Sequence, residues 1–214
     1  MDRRRLLQGA LGGAATAALA AALPRMALAA EPDVRAVTHD PDAPVLGNPA
    51  GDVTIVEFFD YQCPYCRKVA PVLRAALARD RGLRLVLKDV PVFGPASVYA
   101  ARMGLAASGQ GRYPQAYGAL IGARGRLTEA EVDRSLTRAG FDIAALKAAH
   151  NADAGRWQRL IQRNMEQAED LGFRGTPAFV IGRTLYGGAI DAATLDEIVA
   201  ATRAEGPVSP AARG

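Results

Sequence analysis

The two cysteines of this chain, Cys63 and Cys66, are three residues apart, between an apolar run and an amphipathic stretch. At the start of a helix, side chains with this spacing share one face and can form a disulfide. Such a bridge closes so short a loop that it restricts little of the unfolded chain, which makes it a poor structural staple. The pattern therefore favours a disulfide that forms and breaks.

Metal binding is the alternative use of a Cys-x-x-Cys pair. A structural zinc site needs further ligands, and the sequence has no other cysteine and only His39 and His150 as histidines. A copper(I) site made by both thiolates stays open as a second reading. We expect redox chemistry with neither a metal nor a cofactor.

The position of Cys63 indicates how the pair would work. It precedes Pro64, which fits the first helical position because its missing N–H is not needed there. Free N–H groups and the helix dipole favour a thiolate at Cys63. We expect Cys63 to be the exposed attacking sulfur and Cys66 the buried resolving thiol.

Glu57 interrupts the apolar run Val53–Phe59 that leads to the cysteines. The β-branched and aromatic residues of this run predict a central strand. A carboxyl group buried in that strand would have a raised pKa and could accept the proton of Cys66. The alternative is a glutamate on the solvent face of an edge strand.

Strand and helix patterns follow one another along the rest of the chain. Their order predicts one α/β sheet with an inserted helical subdomain, because a segment of that length cannot be a simple loop. The expected organisation is a signal peptide at 1–29, an extended leader at 30–52, a core at 53–90 and 172–205, a helical insertion at 95–171, and a flexible tail at 206–214.

The first residues are typical of a secretory signal. Arg3–Arg5 precede a charge-free stretch at 9–23, and Ala27-Leu28-Ala29 offers a small-residue cleavage site. An uncleaved anchor is the alternative, but Pro24 ends the apolar stretch early. The arginines followed by two leucines also fit a twin-arginine signal, and an ordinary basic leader fits equally well. We expect a periplasmic or otherwise extracytoplasmic location.

Charge excludes some partners. Residues 1–29 hold four arginines and one aspartate, so the remainder carries 22 basic and 21 acidic side chains, a formal charge of +1. A nearly neutral domain gives no electrostatic basis for binding nucleic acid or an anionic membrane.

The run Val56–Cys66 resembles the active-site strand and helix start of the DsbA-like branch of the thioredoxin superfamily. Pro71 matches that family's helix kink, and Thr176-Pro177, directly before an apolar run, matches its cis-proline loop. The resemblance covers about residues 52–203 and implies a thioredoxin fold with an inserted helical subdomain.

The resemblance also implies roles for single residues. Cys63 would be the nucleophile, Cys66 the resolving thiol and Glu57 the buried acid, while the Thr176 backbone would bind a peptide. Pro64 and Tyr65 would form the active-site loop.

The implied function is oxidation of cysteine pairs in secreted polypeptides by a monomer that a redox partner protein regenerates. Tyr65 stands where the best-known oxidants carry histidine, so a cationic stabiliser of the thiolate is absent. Reduction or isomerisation is the alternative, although residues 30–52 are too few for the dimerisation domain of such isomerases. A chaperone or copper(I)-binding module on the same fold is a further alternative.

Overall fold

The computed structural model describes residues 34–206, so the predicted signal peptide and nearly all of the predicted tail lie outside the described residues. A five-stranded mixed sheet forms the centre, in the spatial order β1-β3-β2-β4-β5. The strands are β1 (Val45–Gly47), β2 (Val53–Phe59), β3 (Leu83–Asp89), β4 (Ala178–Ile181) and β5 (Thr184–Gly187).

Helices cover the sheet and fill the connection between β3 and β4. They are α1 (Val34–Thr38), α2 (Pro64–Arg79), α3 (Pro95–Ser108), α4 (Tyr113–Ile121), α5 (Glu129–Arg138), α6 (Ile143–Ala152), α7 (Ala154–Asp170) and α8 (Ala192–Glu205). Among residues 34–206, no helix has the length and apolar character needed to cross a bilayer.

Two of the inserted helices begin with side-chain N-caps. The Thr128 side chain accepts a hydrogen bond from the Glu131 N–H, and Asp142 accepts one from the Ala145 N–H. Each cap satisfies a backbone donor that the first helical turn leaves free. Local sequence was sufficient here because cap and donor are three residues apart.

β2 is the central strand of the sheet. It pairs in parallel with β3 and antiparallel with β4, and Glu57 stands opposite Leu87 on one side and Phe179 on the other. All of its residues except Thr54 are buried. The alternative of a solvent-facing Glu57 on an edge strand is therefore wrong.

The segment predicted as an extended leader is only partly extended. It contains the five-residue helix α1 and the edge strand β1, which pairs antiparallel with β3. A helix of barely more than one turn is too short to show a helical repeat in the sequence.

Every residue of β3 is buried, including the charged residues Arg84 and Lys88. The segment that precedes β2 accounts for the burial of these two side chains. Arg84 donates to the Thr38 carbonyl at 2.7 Å, and Lys88 forms a buried ion pair with Asp40 at 3.3 Å. Asp40 also accepts from Arg163 of α7, so three elements meet at one carboxylate.

Replacing Lys88 by alanine is expected to lower the free energy of unfolding by about 3–5 kcal/mol, because it leaves a cavity at a buried position and removes one cationic partner of the buried Asp40. Lys88→Met is the matched control, since it keeps the packing volume while Arg163 still holds Asp40. The methionine variant should lose only about 1–2 kcal/mol. Denaturant unfolding measures both, and equal losses would show that charge pairing, not packing, is what Lys88 contributes.

Candidate active site

The cysteines lie at the N-terminus of α2. Cys63 is the N-cap residue, with extended backbone angles, and Pro64 begins the helix, as predicted. The carbonyl of Cys63 accepts the N–H of Arg67 at 3.1 Å, which places Cys66 within the first turn. Both cysteines are free thiols in this structure. The local sequence is sufficient to place the pair on one helical turn.

The second part of the site comes from the other end of the chain. The peptide bond Thr176–Pro177 is cis and leads directly into β4. The Sγ of Cys63 lies 3.1 Å from the carbonyl oxygen of Thr176, a residue 113 positions further along. The structure thus brings together the two segments that the sequence singled out.

The expected exposure of Cys63 is wrong for this structure. Cys63 is 1 % exposed and Cys66 is fully buried, whereas the intervening Tyr65 is 56 % exposed. The segment at Thr176 lies against the Cys63 sulfur and contributes to this burial. Position within the motif could not reveal this, because the covering residue is remote in sequence.

Glu57 is buried in β2, and neither of its carboxylate oxygens has a hydrogen-bonding partner among residues 34–206. Burial raises the pKa of Glu57 to about 8, against an opposing effect of the Tyr117 hydroxyl. That hydroxyl is close enough to act on the carboxyl group but makes no hydrogen bond of normal geometry. Glu57 is consequently a carboxyl group that holds its proton near neutral pH.

Cys66 and Glu57 act on each other electrostatically. Burial raises the pKa of the Cys66 thiol far above its ordinary value, and the charge of Glu57 raises it further. When either group is deprotonated, the other can donate its proton to it, and the buried surroundings stabilise neither negative charge.

A buried polar cluster lies in the same part of the core. The Tyr61 hydroxyl donates to the Tyr113 hydroxyl at 3.4 Å, and Tyr113 donates to the Asp89 carboxylate at the same distance. Burial raises the pKa of Asp89 well above its ordinary value. The interior around the thiols therefore favours neutral forms of its acids.

Asp60 is a residue that the sequence reasoning missed. Its side chain accepts four hydrogen bonds, although the residue is only 2 % exposed. The donors are the N–H groups of Gln62, Val92 and Phe93 and the hydroxyl of Ser97, at 2.7, 2.8, 3.1 and 2.8 Å. Only the Gln62 contact is local, as an aspartate turn, so the role of Asp60 depends on contacts that the sequence does not reveal.

Replacing Asp60 by alanine is expected to lower the free energy of unfolding by about 3–4 kcal/mol, because it leaves several buried or partly buried donors without an acceptor. Asp60→Asn keeps one acceptor oxygen and should lose about half as much. Thermal and denaturant unfolding of the two variants measure the difference. Wild-type stability of the alanine variant would contradict the assigned hydrogen bonds.

Two further side chains connect the cysteine motif to the helical insertion. Gln62 donates to the Phe93 carbonyl at 2.9 Å and accepts from the Leu127 N–H at 3.1 Å. Arg67 donates to the carbonyls of Tyr61 and Gly125 at 2.7 and 2.6 Å. The loop before α5 is thus hydrogen-bonded to residues on both sides of the cysteines.

Apolar side chains are exposed around this region. Tyr65, Val92 and Phe93 are 56 %, 53 % and 48 % exposed, and the Gln62 bond to Phe93 holds that loop near the motif. Exposed apolar groups beside a reactive centre are suited to contact with a polypeptide.

The sheet order, the inserted helices and the paired thiols at a helix start define a thioredoxin-fold protein of the thiol–disulfide oxidoreductase class. The chain belongs to the DSBA-like thioredoxin domain family, whose model matches residues 54–200. The predicted family and the predicted thioredoxin fold with an inserted helical subdomain are confirmed.

Known proteins similar to the chain fall into two groups. A crystal structure of a thioredoxin-like oxidoreductase from Silicibacter pomeroyi is 39 % identical, with a TM-score of 0.76, and the match covers 79 % of this chain and 97 % of that one. The thiol:disulfide interchange protein DsbA of Bordetella parapertussis is 27 % identical over 65 % of this chain and 68 % of its own length.

The second group consists of transporters that are much longer. The Na(+)/H(+) antiporter NhaA 3 of Salinispora tropica is 31 % identical over 158 residues, which are 71 % of this chain. The matched region spans only 24 % of the antiporter.

Proposed function

We propose that the chain is an exported thiol–disulfide oxidoreductase that oxidises cysteine pairs of secreted polypeptides through a Cys63–Cys66 disulfide. The observation that carries the proposal is the 3.1 Å contact between the Cys63 sulfur, at the start of α2, and the Thr176 carbonyl. It sets the sulfur at the helix start beside a backbone segment that can bind an extended peptide.

The proposed reaction has two exchange steps. A client thiolate attacks the Cys63 sulfur of the disulfide, the bond to Cys66 breaks, and Cys66 leaves with the electron pair. A second client thiolate then attacks the client sulfur of the mixed disulfide and releases Cys63. The client loses two electrons and gains a disulfide, while the enzyme becomes a dithiol that a partner protein must reoxidise.

Glu57 supplies the proton that the first step requires. Because its pKa is about 8, the carboxyl group is mainly protonated at neutral pH and can protonate the departing Cys66. When a partner reoxidises the dithiol, the same carboxylate can accept the proton back. Because the pKa of the Cys66 thiol is far above its ordinary value, proton transfer from Glu57 to the Cys66 thiolate is favourable when a client reduces the enzyme.

Client binding is proposed to involve both sides of the cysteine motif. The backbone of Thr176 beside Pro177 would hydrogen-bond to an extended client, as the family resemblance implies. Pro64 and the exposed rings of Tyr65 and Phe93 would contact its apolar side chains. Since Cys63 is buried in this structure, client attack requires a small displacement of the 176–177 segment.

Export and partners are proposed from the sequence pattern. Residues 1–29 are proposed to be a signal peptide, of the general or the twin-arginine type, that delivers a monomer to an extracytoplasmic compartment. Disulfides persist there, so the clients would be cysteine-containing secreted polypeptides.

The test is catalysed oxidation of a peptide with two cysteines, compared with catalysed reduction of insulin. The proposal expects the oxidised protein to form the peptide disulfide stoichiometrically within seconds and catalytically with an added oxidant, and to be a poor insulin reductase. Efficient insulin reduction with slow peptide oxidation would assign the reductase alternative. Client binding with neither reaction would assign the chaperone alternative.

A further inference from the structure

A cleft of about 470 Å³ lies between α2 and α4, with β1 and β3 at its base. Its volume falls in the range of about 300–1,000 Å³ that is usual for small-molecule sites. The wall is mainly apolar, and its apolar side chains include Leu46, Ala70, Leu73, Leu77, Leu85 and Ile121.

The cleft is separate from the proposed client surface. Neither cysteine lines it, and neither do Tyr65, Phe93 or Thr176. Two lining residues connect it to the proposed active site: Arg67, the residue after Cys66, and Tyr117, whose hydroxyl acts on Glu57. A ligand in the cleft could therefore bind whether or not the thiols exchange with clients.

Gly118 leaves one part of the cleft wall without a side chain. Gly118 lines it from within α4, and a Cβ atom added at this position would meet no atom within 4 Å. The backbone there has no conformation that requires glycine, and glycine inside a helix is unfavourable by about 1 kcal/mol relative to alanine. Unlike a glycine required for close packing, Gly118 leaves space beside it.

The charged side chains that line the cleft are all basic. Arg67 and Arg74 line it, and no acidic side chain does. Arg74 is exposed and has no ion pair or hydrogen bond to its side chain among residues 34–206. One terminal nitrogen of Arg67 is buried without a hydrogen-bond acceptor in that part of the chain. Asp60 acts on Arg67 electrostatically, but its carboxylate is already held by four other donors.

We propose that this cleft binds a small amphiphilic carboxylate with an unbranched hydrocarbon chain. The hydrocarbon would replace water along the leucine-rich wall, which is favourable by about 25 cal/mol for each Å² of apolar surface buried. The carboxylate would lie at the rim and accept charge-assisted hydrogen bonds from Arg74, near the positive charge of Arg67. The cleft thus joins the two features that such a molecule requires, an apolar slot and a cationic mouth.

The test is calorimetric titration of the full chain with decanoate, and with decanol as a probe that lacks the charge. We expect saturable binding of one decanoate, with decanol about tenfold weaker, because it loses a charge-assisted hydrogen bond. Arg74→Gln should weaken decanoate by about the same factor and leave decanol unchanged. Arg102→Gln is the matched control, since Arg102 is also exposed, makes no ion pair within residues 34–206 and lies outside the cleft.

Gly118→Leu tests the location. Because Gly118 lines the cleft and a Cβ atom there meets no atom within 4 Å, we expect the leucine side chain to occupy part of the cleft. Both probes should then lose binding while the thermal unfolding midpoint stays at or above the wild-type value. The proposal is overturned if decanol binds as tightly as decanoate, if folded Gly118→Leu binds like the wild type, or if no saturable binding occurs below about 5 mM. Because no readout uses the thiols, these outcomes are independent of the proposed redox function.

Discussion

Cys63→Ser is expected to abolish thiol–disulfide exchange, with a loss of at least about 1,000-fold in peptide oxidation. A serine hydroxyl cannot form a disulfide, so a client thiolate has no sulfur to attack at position 63. The substitution is nearly isosteric at a residue that is 1 % exposed, so the fold should survive. Peptide oxidation by stopped-flow fluorescence measures the loss, and circular dichroism checks the fold.

Cys66→Ser is the matched variant, because it keeps Cys63 and removes only the resolving thiol. With a peptide that already contains a disulfide, Cys63 should attack one peptide sulfur and release the other as a thiol, and this mixed disulfide should accumulate because Cys66 is not there to resolve it. Intact-mass spectrometry detects the mixed disulfide, and the variant should not complete a catalytic cycle. If Cys63→Ser formed mixed disulfides while Cys66→Ser did not, the roles of the two sulfurs would be reversed.

Glu57→Gln is expected to remove a large pH dependence of stability. The pKa of Glu57 is raised from 4.5 to about 8 in the folded chain, so the folded state keeps a proton that the unfolded state has released. The free energy of unfolding of the wild type should therefore fall as pH rises from 4.5 to 8, and level off above. With about 1.4 kcal/mol for each pKa unit, the fall is about 5 kcal/mol.

The glutamine variant has no proton to lose at position 57, so it should be several kcal/mol more stable than the wild type at pH 8 and nearly equal to it at pH 4.5. Its rate of mixed-disulfide formation from the oxidised enzyme and a client thiol should be lower at pH 7, because the departing Cys66 loses its proton donor. Urea unfolding across this pH range measures the stability difference. Glu197→Gln, at an exposed position on α8, is the control and should follow the wild-type curve. A wild-type curve that is flat between pH 4.5 and 8 would show that Glu57 is not held protonated.

Features encoded within a few residues were predictable from the sequence. The apolar run of β2, the helix start at Pro64 and the N-caps Thr128 and Asp142 depend on neighbours along the chain. The pairing of the cysteine motif with residues 176–177 came from the family resemblance, since no local pattern connects segments 113 positions apart.

Features that depend on distant contacts were not predictable. The burial of Cys63 requires the Thr176 segment, and the burial of Lys88 requires Asp40. In the sequence Asp60 is an ordinary turn residue, whereas in the structure it also accepts hydrogen bonds from the N–H groups of residues 92 and 93. In each case the deciding partner is a charge or a backbone group more than 30 positions away, which a periodicity analysis cannot detect.

The redox equilibrium of the full chain with reduced and oxidised glutathione tests most directly whether the two sulfurs form the working disulfide of an oxidase. We expect a single two-electron transition that links Cys63 to Cys66, with a standard potential between about −120 and −180 mV. A potential near −270 mV, like that of thioredoxin, would contradict the assigned direction. Failure to form any intramolecular disulfide would contradict the redox role itself.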